Sequence, residues 1–144
     1  MKKLILTSLI AVFLFSSFTA NLKEVINNDL ENFYLHLGKN IKYPSSAKAK
    51  NIQGNSLILF SVKDGKLEGL KIENELGSNC DTEVLNQMLS YKDYKPIKDG
   101  KYALKVTFKL EGADTDIKNK NIATPHNYAP LALTIVGYAP PKNN

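Results

Sequence analysis

From Tyr102 to Leu110 the chain alternates: Tyr102, Leu104, Val106, Phe108 and Leu110 are large and apolar, while Ala103, Lys105, Thr107 and Lys109 between them are small or polar. Successive side chains of a strand point to opposite faces, so this period of two predicts a strand with one face buried and the other wet. At about 1.5 to 3 kcal/mol for each large side chain fully buried, that strand is expected to be a main anchor of a sheet.

Two further β-type runs, SLILFSV and LEGLKIEN, fall between Asn55 and Asn74 with KDGK between them. Asp64-Gly65 suits a two-residue hairpin turn whose central residues take positive φ, so Val62 and Leu67 are expected to face each other. Leu67, Leu70 and Ile72 change parity around Gly69, which predicts a bulge there.

Helical spacing surrounds the strands. Leu22, Val25, Ile26, Leu30, Phe33, Tyr34 and Leu37 recur at three and four, predicting an amphipathic helix with Gly38 as its stop. In YPSSAKAKNIQG, Pro44 presets a helical φ, Ala47 and Ala49 favour helix, and Asn51 closes the turn, giving a short helix that feeds a strand at Gly54. Val84, Leu85, Met88 and Leu89 mark another helix over Asp81 to Tyr91, with Ser78, Asn79 or Asp81 as its N-cap. The turn at Lys95-Pro96 and Asp99-Gly100 leads into the alternating strand.

Residues 1–20 place Lys2 and Lys3 before an apolar run from Leu4 to Phe18 and small residues up to Ala20, the layout of a secretory signal. The alternative is an uncleaved anchor that tethers the protein to the inner membrane, facing the periplasm. Residues 21–42 form the amphipathic helix and lead-in, and residues 112–144 a polar linker and tail in which Leu133 to Val136 are the candidate for a short strand.

All 19 basic residues are lysines. Without arginine the bidentate fork that dominates phosphate and base recognition is missing, so nucleic acid is not an expected partner. Removing residues 1–20 leaves 17 lysines against 14 carboxylates, a mild net charge of +3.

No motif for chemistry emerges. His36 and His126 are far apart in the chain and lack nearby cysteines or paired carboxylates, so neither a metal site nor a nucleophilic triad is expected. Asp81 and Glu83 read as a helix cap and dipole partner. Cys80 has no second cysteine to pair with and reads as a small buried hydrophobe at a helix start, with a reactive or intermolecularly paired thiol as the alternative. The chain is expected not to be an enzyme and to need no cofactor or metal.

The order helix, hairpin, helix, strand, with Tyr43-Pro44, Ala47, Ile52 and Gly54, then Ile58, Phe60, Val62 and Asp64-Gly65, then Cys80-Asp81, then Tyr94, Pro96 and Gly100, resembles the TonB C-terminal domain family over about Phe33 to Leu110. The resemblance implies an α+β domain over residues 43–111, two short helices packed on a three-stranded antiparallel sheet. It implies structural roles for Tyr43, Pro44, Ala47, Gly54, Asp64, Gly65 and Pro96, the Tyr-Pro helix serving as a brace. Three features depart from the family pattern: a hairpin loop one residue shorter, Ser56 where valine is usual, and no proline-rich spacer before the domain.

The resemblance further implies binding by strand addition, in which an extended segment of a TonB-dependent outer-membrane receptor pairs with the last strand. On this chain that edge is Tyr102, Ala103, Leu104, Lys105, Val106, Thr107, Phe108, Lys109 and Leu110, with Ala103, Lys105, Thr107 and Lys109 bordering the guest. The expected function is a periplasmic TonB-like protein supporting TonB-dependent transport, with inner-membrane motor proteins as added partners if it is anchored. The alternative is an envelope structural or assembly module that dimerises or holds a partner through the same strand. In the tail, Leu133-Thr134-Ile135-Val136-Gly137-Tyr138 is similar to the Val-Val-Gly-Tyr stretches of SusC-type TonB-dependent receptors, which implies a segment able to mimic a receptor strand.

Overall fold

The computed structural model of the chain describes residues 29–142. The signal expected over residues 1–20 and the first part of the amphipathic segment lie outside the described residues. Helix α1 (29–40) buries Phe33 and Leu37. It runs past Gly38, the expected stop, because the Asn40 side-chain amide donates to the His36 carbonyl at 2.7 Å and closes the last turn. An exposed glycine costs a helix only about 1 kcal/mol, which burial of Leu37 outweighs.

The short helix α2 (Ser45–Ala49) follows Pro44, whose φ is −61°, and buries Ala47. Strands β1 (Gly54–Lys63) and β2 (Lys66–Asn74) then form the expected hairpin. Asp64 and Gly65 take φ of 50° and 70°, Val62 faces Leu67, and the register slips between Leu59 and Ser61, across from Gly69 and Leu70. An extra residue on β2 is what the parity change around Gly69 requires.

Helix α3 (Cys80–Ser90) starts after Asn79, whose side chain does not cap it but donates to Ser46 Oγ at 3.1 Å. Asp81 turns back instead of capping. Its buried carboxylate accepts from the amides of Leu76 at 3.0 Å and Gly77 at 2.7 Å, and from the Ser56 hydroxyl. Serine in place of the usual valine thus supplies a donor to a buried charge, fixing the loop before α3 to the beginning of β1.

Strand β3 (Gly100–Glu111) pairs antiparallel with β1, and strand β4 (Ala129–Tyr138) pairs parallel with β3. The sheet is therefore four-stranded and mixed, in the order β2-β1-β3-β4, rather than three-stranded and antiparallel. A parallel neighbour must return to the start of β3 before it can run alongside. Residues 112–128 make that return, and their polar groups bond to the backbone they cross. Asn119 Nδ2 donates to the carbonyls of Asn55 and Glu75 at 3.0 Å each, Asn55 Nδ2 donates to the Asn119 carbonyl at 3.0 Å, and Gln53 Nε2 donates to the Thr115 carbonyl at 2.6 Å.

The helices cover one face of the sheet, where Phe33, Leu37, Val84 and Met88 meet Ile58, Phe60, Leu104, Val106 and Phe108. The opposite face is not uniformly wet. Leu57, Leu59 and Ala103 are buried beneath Ile122 and Tyr128 of the returning segment. Cys80 is fully buried, and burial, reinforced by the Asp81 charge, pushes its thiol up to about 12.

Two outcomes follow from this packing. Ser56→Val is expected to lower stability by about 1–3 kcal/mol, since the Asp81 carboxylate loses a buried donor; the shift in urea midpoint measures it, and an unchanged midpoint would refute the role given to Ser56. A thiol reagent at about pH 8 is expected to leave Cys80 unmodified in the native protein, because a raised thiol pKa leaves almost no thiolate there, and to label it on unfolding.

Candidate strand-pairing site

Backbone groups of a strand alternate between its two neighbours residue by residue. The Ala139 amide donates to the Glu111 carbonyl at 2.9 Å, and Tyr138 stands opposite Glu111 in the ladder. This fixes the parity. On β4 the odd residues from Leu131 onward turn their amides and carbonyls to β3, and the even residues turn theirs outward. On β3, Ala103, Lys105, Thr107, Lys109 and Glu111 face β4, while Leu104, Val106 and Phe108 face β1.

The segment Tyr102–Leu110, expected to be an edge open to a guest, is accordingly an inner strand. The row bordered by Ala103, Lys105, Thr107 and Lys109 has the expected geometry, but β4 lies in it, from Ala103 opposite Pro130 to Lys109 opposite Val136. The physical reason is the pattern of the tail. Leu131, Ile135 and Gly137 are buried on the helix side while Ala132, Thr134, Val136 and Tyr138 are turned away from it, so the tail can cover β3 and finish the core in one step.

Tyr43 seats β4. Its ring packs edge-on against Phe108, with centroids 5.3 Å apart, and its hydroxyl donates to the Ile52 carbonyl at 2.6 Å. Burial raises the Tyr43 hydroxyl above the ordinary tyrosine range. The ring lies so close to Gly137 that a Cβ there would stand 2.6 Å from Tyr43 Cδ2 and 3.2 Å from Leu110 Cδ2. The brace therefore reaches past β3 to the tail, a contact that periodicity does not reveal; the glycine inside an apolar alternating run is its one visible signal.

Two of the other motif positions, Gly54 and Asp64, also make close contacts between segments. At Gly54 a Cβ would stand 2.8 Å from the Lys118 amide nitrogen, and the Asn55 amide donates to the Lys118 carbonyl at 3.1 Å, so this glycine admits the returning segment. The Asp64 amide donates to Asp99 Oδ1 at 3.0 Å, tying the hairpin turn to the loop that carries Pro96. His36 is half-buried and bonds to the Gln87 carbonyl and Ser90 Oγ at 3.0 and 2.9 Å, joining α1 to α3, whereas His126 is exposed on the returning segment.

The sheet's two edges differ. β2 carries Lys66, Glu68, Lys71 and Glu73, with Lys71 and Glu73 paired at 2.7 Å, and a bulge, the usual protections against added strands. β4 carries no charged residue from Ala129 to Tyr138, and Val136 and Tyr138 on it are 51% and 75% exposed.

No curated protein and no solved structure matches the chain. A family model described as Gram-negative bacterial TonB protein C-terminal matches residues 39–111, from the end of α1 to the last residue of β3. That family binds and transduces energy rather than catalysing a reaction, and its domains act with outer-membrane receptors in the Gram-negative envelope. Among the described residues no helix is long and apolar enough to cross a membrane. With half of its length matched, and with the braced hairpin, α3 and β3 lying inside the match, this chain belongs to the TonB C-terminal domain family.

Proposed function

We propose that this chain is a periplasmic TonB-like binding module that takes an extended segment of a TonB-dependent outer-membrane receptor as a strand beside β3, and so supports TonB-dependent transport. The β3–β4 ladder carries the reading. The outer row of β3 accommodates an extended uncharged segment along its whole length, and that segment lies beyond residue 111, where the family match ends. β4 is thus an addition that fills the row the family unit ends on. The likeness of Leu133 to Tyr138 to receptor Val-Val-Gly-Tyr stretches supports the same reading. The receptor segment enters by exchange with β4, and Tyr102 to Leu110 is its site. Every 1.4 kcal/mol or so needed to release β4 weakens the apparent affinity about tenfold.

The second reading, an assembly module outside transport, draws on the same observation taken the other way: with the row already filled by the chain itself, no receptor segment need enter it. Contact with inner-membrane motor proteins belongs to the first reading only if residues 1–20 remain as an anchor.

A synthetic receptor-type peptide carrying Val-Val-Gly-Tyr tests the exchange. Gly137→Val, which forces β4 against Tyr43, is expected to bind the peptide more tightly than the parent chain. A disulfide locking β4 to β3 through Thr107→Cys and Thr134→Cys, which stand opposite each other in the ladder, is expected to abolish binding, with reduction restoring it. Equal affinity for the parent, loosened and locked forms, or no binding to any of them, would refute the proposal.

A further inference from the structure

The contact between Tyr43 and Gly137 acts on any strand that lies beside β3, whether β4 or a guest in its place. Along β4 the odd positions turn toward the helices: Leu131 and Ile135 are buried, Leu133 packs half-buried against the core, and Gly137 is closed over by Tyr43 and Leu110. The even positions Ala132, Thr134, Val136 and Tyr138 are exposed. Only side chains that enter the protein can be told apart by it, so the selective positions of the row are the odd ones. Three of them accept apolar volume, and the fourth has room for none.

Tyr43 cannot yield that room. A Cβ at position 137 would stand 2.6 Å from its Cδ2 and 2.8 Å from its Cγ, the atoms at the root of the ring. Turning the ring about its own axis moves Cδ2 and leaves Cγ where it is. The far end of the ring is held by the bond from its hydroxyl to the Ile52 carbonyl at 2.6 Å, and its side by Phe108. Leu110, the other neighbour at 3.2 Å, offers only the end of a flexible side chain and can move aside. Gly137 does not take positive φ, so the position uses its lack of a side chain rather than its backbone freedom.

We infer that Tyr43 is a specificity-determining residue, which makes glycine obligatory opposite Leu110 in any segment that pairs parallel with β3. The inference rests on the exchange reading and names the segment it takes: apolar residues at the positions of Leu131, Leu133 and Ile135, then glycine at the position of Gly137. Equally apolar segments with a side chain at that last position are refused by clash rather than for want of attraction. The glycine also sets the register. A slip of two residues keeps the inward face inward but brings the position of Ile135 or of Ala139 under the ring, where neither side chain fits.

The test uses the full chain carrying Gly137→Val, in which β4 is forced from its place, and synthetic peptides that reproduce residues 129–140. Alanine in place of the glycine at position 137 of the peptide is expected to weaken binding about tenfold or more. Alanine in place of the exposed valine at position 136 is the control and is expected to change it little. Tyr43→Leu in the chain keeps an apolar contact with Phe108 but removes the ring. It is expected to bring the ratio of glycine-peptide to alanine-peptide affinity toward one, whereas a merely structural role for Tyr43 would weaken both peptides alike. The comparison of peptides needs only Tyr43 in place, so it decides even where Tyr43→Leu fails to fold. Equal binding of the glycine and alanine peptides, or a ratio that Tyr43→Leu leaves unchanged, would overturn the inference and leave the exchange proposal standing. Failure of every peptide to bind would overturn both.

Discussion

The arrangement depends on how β3 satisfies two rows of backbone groups at once. A strand whose large side chains fill the core cannot leave its amides and carbonyls half-covered and unpaired, because each orphaned group in a dry setting costs as much as a lost hydrogen bond or more. β1 fills one row through the hairpin register, from Gly54 opposite Phe108 to Val62 opposite Gly100. β4 fills the other. Its side chains also complete the helix-side core, so pairing and burial reinforce each other: Leu131 and Ile135 are 8% exposed beside a fully buried Phe108. The same Tyr43 ring that braces β3 through Phe108 leaves room only for a glycine at position 137, which makes the family's structural brace a seat for the appended strand.

Features set by neighbours along the chain are legible in the amino-acid sequence alone. The Asp64-Gly65 turn, the Val62–Leu67 pair, the bulge near Gly69 and the helices around Ala47 and Val84 each follow from a local rule about φ, parity or helical spacing, and each is present. Features set by distant partners are not. The hydroxyl of Ser56 matters only because Asp81 lies against it, so the departure from valine is visible in the sequence while its reason is not. Gly38 reads as a stop because the helix beyond it is held by contacts rather than by propensity. Ala103 reads as part of a wet face because its cover, Ile122 and Tyr128, comes from a stretch whose composition is that of a linker.

The candidate site is legible in one half and hidden in the other. Alternation along Tyr102 to Leu110 identifies both the strand and the side chains that border its outer row. What it cannot provide is the state of that row, since a parallel pairing needs a crossing, and nothing local in residues 112–128 announces one. The Asn and Thr side chains that suggest a solvated linker are the groups that fasten it, Asn119 to Asn55 and Glu75, and Thr115 to Asn51 and Gln53. Polar composition measures how many hydrogen-bonding groups a segment carries, and is silent about whether water or backbone receives them.

Filling the β3 row with a segment of the same chain changes the energetics of any guest. A tethered strand competes at an effective concentration set by its linker, typically far above that of a free partner, so a guest must gain more from the row than β4 does or arrive held at high local concentration itself. The seat under Tyr43 bears on this competition through one glycine, since the close approach of the ring to Gly137 is part of what holds β4 in the row.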